Sequence, residues 1–280
     1  MKKSIFQSII LLALIMVLAC LFYLTPDKKS KNSHPVSSGS VSYIKPGSGI
    51  GGGDINGNAV AGKKSLPIYC VKHDDSEKCI SISFDAAWGA DDTIEILNTL
   101  DKYNVKATFF VVGENVEWNA EILKRQHEEG HEIGNHTFTH INVSKKGYND
   151  IYKEINNTQQ AVKKVIGEEP KLFRPPYRAI SKAMCNIVKE KDMNIVLWSN
   201  LDPRDWSNPG VYYIVDTITS KVQNGTIILL HDYNNLRNKK SQTVQALEIV
   251  IPKLKEMGYK FVTVSELIEN LEKEQTMQKQ

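Results

Sequence analysis

Between residues 80 and 272 the sequence alternates short runs rich in β-branched and aromatic residues with longer amphipathic stretches, and no other feature limits the possible folds as much. The strand-like runs are Ile80–Phe84, Ala107–Val112, Glu132–Asn135, Leu172–Arg174, Ile195–Trp198, Thr226–His231 and Phe261–Val264. Helical periodicity covers 91–103, 117–129, 148–166, 180–191, 211–223, 241–257 and 265–272, the last opened by Ser265 as a cap. Seven strands, each followed by a helix, imply an α/β fold on a parallel sheet, because the helix returns the chain to the same starting edge. For the roughly 220 residues involved, a closed or nearly closed β/α barrel is more economical than an open sheet.

Composition removes several other classes. With 41% hydrophobic and 24% charged residues the chain is neither disordered throughout nor collagen-like, and four cysteines cannot make a dense disulfide scaffold. Six of the lysines lie in residues 1–62, against Asp27 and Asp54 alone, so the formal charge of +3 leaves the body of the chain nearly neutral. Nothing there suggests a surface that tracks nucleic-acid phosphates.

The amino-terminal region reads as two further segments. Lys2 and Lys3 precede Ile5–Leu24, apolar except for Gln7 and Ser8, which as a helix spans ~30 Å, enough to cross a bilayer. No small-x-small cleavage site follows, so residues 1–24 are expected to be an uncleaved membrane anchor. Val17-Leu18-Ala19-Cys20 only faintly resembles a lipoprotein box, with Leu18 a poor fit. Residues 25–62 are rich in Ser, Gly, Lys, Asn and Pro and read as a flexible linker. Gly49-Ile50-Gly51-Gly52-Gly53 lacks the strand, helix and Lys-Ser/Thr of a phosphate-binding loop. Residues 63–280 are the expected folded domain.

In a parallel β/α architecture chemistry gathers where strands end. Those ends are Ser83-Phe84-Asp85-Ala86-Ala87-Trp88-Gly89, His136-Thr137-Phe138-Thr139-His140, Arg174-Pro175-Pro176-Tyr177, Asp202-Pro203-Arg204-Asp205-Trp206 and Leu229-Leu230-His231-Asp232. Singly, each has a plain structural reading: Asp85 as a helix cap, Arg174 with Asp205 as an ion pair, His231 as a core histidine. His127 and His131 repeat the four-residue spacing of His136 and His140, but Gly130 should end the helix between them. Five strand ends carrying His, Asp, Arg or Trp on one face point to a site.

These motifs, in this order across 66–272, resemble the polysaccharide deacetylases that share the rhizobial chitooligosaccharide deacetylase domain (carbohydrate esterase family 4). The resemblance implies a distorted (β/α)7 barrel and metal-dependent hydrolysis of N-acetyl groups on a cell-wall polysaccharide, peptidoglycan first and chitin-like glycans second. It makes His136 and His140 ligands of a divalent metal, Zn²⁺ being the first candidate. Asp85 becomes the general base and His231 the general acid, with an oxyanion donor at the Tyr177 backbone N–H. Arg174 would keep Asp85 ionised, and Asp205 would hold Arg174 or tune His231. Trp206 and Leu229 would shape the acetyl pocket. An amide needs an activated water, oxyanion stabilisation and a proton for its leaving amine, which is what this set supplies.

One position departs from the pattern. The family's second carboxylate at the end of the first strand, a metal ligand, is replaced here by Ala86. This leaves three expectations: an active deacetylase with two histidine ligands, a catalytically weak glycan-binding pseudoenzyme, and an O-acetyl polysaccharide esterase. The remaining expectations are a single-pass bacterial membrane protein, attached through residues 5–24 with the catalytic domain outside, and a hairpin bringing Cys70 near Cys79, where a disulfide is left open because register is not fixed by sequence. Cys185 reads as a small core residue.

Overall fold

The computed structural model describes residues 40–43, 68–72, 77–86, 90–199, 201–233 and 240–277. The expected anchor, 5–24, and the glycine run at 49–53 lie outside them. Among the described residues no helix is long and apolar enough to cross a membrane.

Two short strands, β1 (Ser40–Tyr43) and β2 (Ile68–Lys72), pair antiparallel. Then follow β3 (Cys79–Ala86), α1 (Ala90–Lys102), β4 (Thr108–Val111), α2 (Ala120–Glu128), β5 (Glu132–Asn135), α3 (Tyr148–Ile166), β6 (Leu172–Phe173), α4 (Lys182–Glu190), β7 (Asn194–Ile195), α5 (Val211–Lys221), β8 (Ile227–His231), α6 (Gln242–Glu256), β9 (Lys260–Phe261) and α7 (Val264–Met277). The main sheet is parallel, in the order β7-β6-β5-β4-β3-β8, with β9 also on β3. The expected α/β alternation is therefore present, as a half-barrel of parallel strands. Beyond β7 the chain turns toward β8: Leu197 N donates to Ile68 O at 2.6 Å and Ser199 N to Ile227 O at 3.1 Å.

Period-two alternation on β3 separates the two faces of the sheet. Ile80, Ile82 and Phe84 pack into a large cluster with Ile96, Leu97 and Leu100 of α1 and with residues of α6. Ser81, Ser83 and Asp85 alternate with them. On the face shared with Asp85, Phe110 joins Leu172, Val196 and Ile227 in a second cluster, which Val264, Leu267 and Ile268 of α7 complete. Cys185 is buried in a third, beneath α4.

Several expectations change in detail. Ser40–Tyr43, inside the stretch read as linker, forms β1 by pairing with β2, while among the described residues β2 and β3 take different partners and share no ladder, so the expected hairpin between Cys70 and Cys79 is not the pairing found. The helix expected over 117–129 begins only at Ala120, since Asn119 Nδ2 donates to Asn115 O and closes a turn ahead of it. Ser265 is not the cap of α7. Thr263 is: its Oγ1 accepts from Glu266 N at 3.3 Å while Glu266 Oε2 accepts from Thr263 N at 2.8 Å, a reciprocal capping box.

Candidate active site

The site is built on strand register. Asp85 on β3 lies opposite Phe110 on β4 and His231 on β8, so an acidic and a basic side chain share one face at neighbouring strand ends. Arg174, just beyond β6, is fully buried on that face. Its Nη1 donates to Asp85 Oδ1 at 2.8 Å and its Nη2 to Ser83 Oγ at 2.9 Å, while its guanidinium lies 3.9 Å from the Phe110 ring centroid. The small hydroxyl at Ser83 leaves room for this. Gly134 does the same for Phe110, since a Cβ there would stand 2.4 Å from the ring. Burial alone would raise the Asp85 carboxyl; His136, Arg174 and His231 together outweigh it and hold the group below the usual carboxylate value.

Asp205 does not pair with Arg174, as one sequence reading had it. Its Oδ1 meets His231 Nδ1 at 2.9 Å, and its Oδ2 accepts from His231 N and from Thr243 Oγ1, each at 2.8 Å. Burial would lower the imidazole; Asp205, with the charges of Asp85 and Asp202, more than reverses this and raises it to about 9. His231 is thus a cation at neutral pH, oriented by a buried carboxylate.

His136 and His140 come together with ring centroids 5.0 Å apart. His136 Nδ1 lies 2.7 Å from Arg174 O, and a carbonyl can only accept, so Nε2 carries the lone pair. That lone pair faces Asp85 Oδ2, a second acceptor, at 3.6 Å. Burial lowers His136 to about 4, so the ring does not supply the missing proton near neutrality. Two acceptors turned toward each other form a donor set that a cation fits. His140 is held through Nδ1 by the Tyr177 hydroxyl at 3.1 Å. Ala86 adds no ligand, and among the described residues no group of three or more His, Cys, Asp or Glu is arranged to hold a metal ion.

Tyr177 adopts a left-handed backbone (φ 60°) and leaves its side chain 65% exposed beside His140. Leu229 is buried with Leu197 and Trp198. Trp206 follows Asp205 on one turn, its ring 42% exposed with the Arg204 guanidinium 5.5 Å from it. The duplicate histidine spacing is structural: buried His131 accepts from Ala107 N through Nδ1, and His127 faces Glu168. Ser83, Phe110, Trp198 and Thr243 were missed from sequence, because each belongs to an ordinary apolar or capping pattern and acquires its role only through a neighbour.

Residues 72–196 match the polysaccharide deacetylase family model. A peptidoglycan-N-acetylglucosamine deacetylase of Bacillus cereus is 43% identical over 194 residues, 69% of this chain and 89% of the relative. Among solved structures, a family 4 acetyl xylan esterase from Clostridium thermocellum in complex with a cobalt ion superposes with TM-score 0.64 at 38% identity, covering 69% of this chain and 91% of that one. A family pseudoenzyme from Bacillus anthracis superposes with TM-score 0.65 at 29% identity, covering 72% and 68%. With a buried aspartate and a half-buried histidine in register on adjoining strands, and a relative of this similarity over most of its own length, the chain belongs to the polysaccharide deacetylases of carbohydrate esterase family 4.

Proposed function

We propose that this chain hydrolyses N-acetyl groups on cell-wall polysaccharide, with peptidoglycan the favoured polymer. The observation that carries the reading is the in-register pair Asp85 and His231, an anion and a cation at neighbouring strand ends, each fixed by its own buried partner. Asp85 accepts a proton from the attacking water as a C–O bond forms to the acetyl carbon. The Tyr177 backbone N–H donates to the oxygen that gains charge. His231 gives its proton to the nitrogen as the C–N bond breaks, releasing acetate and a free amine. A divalent cation held by His136 and His140, Zn²⁺ being the first candidate, would supply Lewis acidity to the water and the carbonyl. Arg174 keeps Asp85 ionised; Asp205 and Thr243 keep His231 oriented and charged.

The parallel half-barrel and its family membership support the finer reading of a distorted (β/α)7 barrel. Ala86, in a chain similar to a family pseudoenzyme, favours a second reading in which cation binding and turnover are weak. Acetate release from peptidoglycan and chitooligosaccharides, with and without chelator, separates the two. Chelator-sensitive acetate from peptidoglycan is expected, and none from any polymer would leave glycan binding as the function.

The apolar run Ile5–Leu24 ahead of a wall-directed enzyme supports a single-pass bacterial membrane anchor with the catalytic domain outside. Protease treatment of wall-stripped cells should then remove the domain, and full protection would refute that orientation.

A further inference from the structure

His136 and His140 are held by different parts of the protein. His136 continues the sheet: its N donates to Val111 O at 3.0 Å, and beside it Arg174 N donates to Asn135 O at 2.9 Å. His140 lies beyond the ladder, on a turn that is left-handed at Thr137 (φ 65°) and at His140 itself (φ 54°). A β-branched residue takes up that conformation only where surrounding contacts impose it.

Those contacts can be followed group by group. Thr137 O and Phe138 O accept from Gly113 N at 3.0 Å and from Glu114 N at 2.9 Å, both on the short turn Gly113–Asn115. Gly113 permits the approach, since a Cβ there would stand 2.5 Å from the Phe138 ring and 2.6 Å from Thr158 Oγ1. The amides are taken by side chains. Thr137 N donates to Asn135 Oδ1 at 2.9 Å, and Asn135 is braced in turn on α3 by donating to Ile155 O and Gln159 Oε1. Phe138 N and Thr139 N both donate to Glu154 Oε2, at 2.9 and 2.7 Å, while Thr139 Oγ1 donates to Glu154 Oε1 at 2.8 Å. One half-buried carboxylate on α3 thus accepts three hydrogen bonds from the two residues immediately ahead of His140. None of the three serves the backbone of α3 itself.

We infer that Glu154 is the positioning residue of His140: by clamping the Phe138 and Thr139 amides it fixes where the turn ends, and so brings the second imidazole to the first at the divalent-cation site. The sheet places His136, and a helix side chain places its partner. The consequence for the cation rests on the reading of the two histidines as its ligands; the placement of His140 does not.

The test reads the full chain in two ways, by the imidazole resonances of its histidines in NMR and by Zn²⁺ affinity in calorimetry. Glu154→Ala removes all three bonds and leaves α3 with a better helix former. In that variant the His140 resonances should shift and broaden while those of His127, on α2, stay in place, and Zn²⁺ affinity should fall by about tenfold or more, the scale on which groups that orient a ligand act. Glu154→Gln should restore most of both, because its amide oxygen accepts from the two backbone N–H groups and its amide nitrogen donates to Thr139 Oγ1. A general loosening of the fold would move His127 as well and would gain nothing from glutamine. Unchanged His140 resonances in Glu154→Ala, or unchanged Zn²⁺ affinity there when wild type binds the ion, overturns the proposal. A wild type that binds no Zn²⁺ refutes the ligand reading, and the resonances still decide whether Glu154 places His140.

Discussion

The two ends of the parallel sheet turn the chain by different means. Where helices exit toward the next strand, the left-handed positions are Asn104, Gly130, Gly167, Asp192, Gly225 and Gly258, the residue types that tolerate positive φ best. Where strands exit toward the next helix they are Thr137, His140, Tyr177, Arg178, Arg204 and Asn208, with a single glycine, Gly210, just ahead of α5. A β-branched residue, an aromatic and two arginines pay for that conformation in stability. Several of these side chains form or border the site: His140 with Tyr177, Arg178 on Trp198, Arg204 on Trp206. The helix-exit end is built for folding, and the strand-exit end carries strain that holds functional groups in place.

The sharpest test of this division is to remove the chemistry while leaving the fold. His231→Ala and Asp85→Asn should each cut acetate release by ~10²-fold or more, with circular dichroism unchanged. Wild-type rates in either would remove the strand-exit end from the reaction. Next in size is Ala86→Asp, which should tighten divalent-cation binding by ~10-fold or more, read by equilibrium dialysis. Unchanged affinity would mean that residue 86 does not face the ion.

The pH response should be smaller and has a fixed sign. His231, raised to about 9 against an ordinary value of 6.5, stabilises the folded state fully below about 6.5 and loses that contribution as pH rises through 9. Activity should fall over the same upper limb, and Asp205→Asn should shift that limb to lower pH. A limb that stays in place would separate Asp205 from His231. The smallest effects contrast the two ends directly. Gly167→Ala, at φ 86°, should lower stability by ~1 kcal/mol with turnover unchanged. Arg204→Gly should raise stability by up to ~1 kcal/mol while lowering turnover a few-fold through Trp206. Chemical denaturation and initial rates read both, and parallel changes at the two ends would break the comparison.

The sequence shows much of this because its signals are local. Ile80, Ile82 and Phe84 against Ser81, Ser83 and Asp85 state the faces of β3 directly, and the strand-end motifs mark the residues that meet. Partner choice is non-local and was less legible. Asp205 had two candidate partners, and only the approach of its turn to β8 selects His231. Thr263, two residues before the expected Ser265 cap, required knowing that Glu266 reaches back. Thr243 looks like any first-turn threonine until α6 is set beside Asp205.

The register between β3 and β8 has one more consequence. Side chains alternate between faces, so a slip of one residue in either strand would turn Asp85 or His231 away from the site altogether, and no partial misplacement lies between. The spacing of base and acid is therefore inherited from the backbone ladder, independently of the loops around it. Loops that grip substrate can be lengthened, shortened or exchanged without retuning the proton transfers, and that is how one hydrolytic scaffold can be refitted to different polymers.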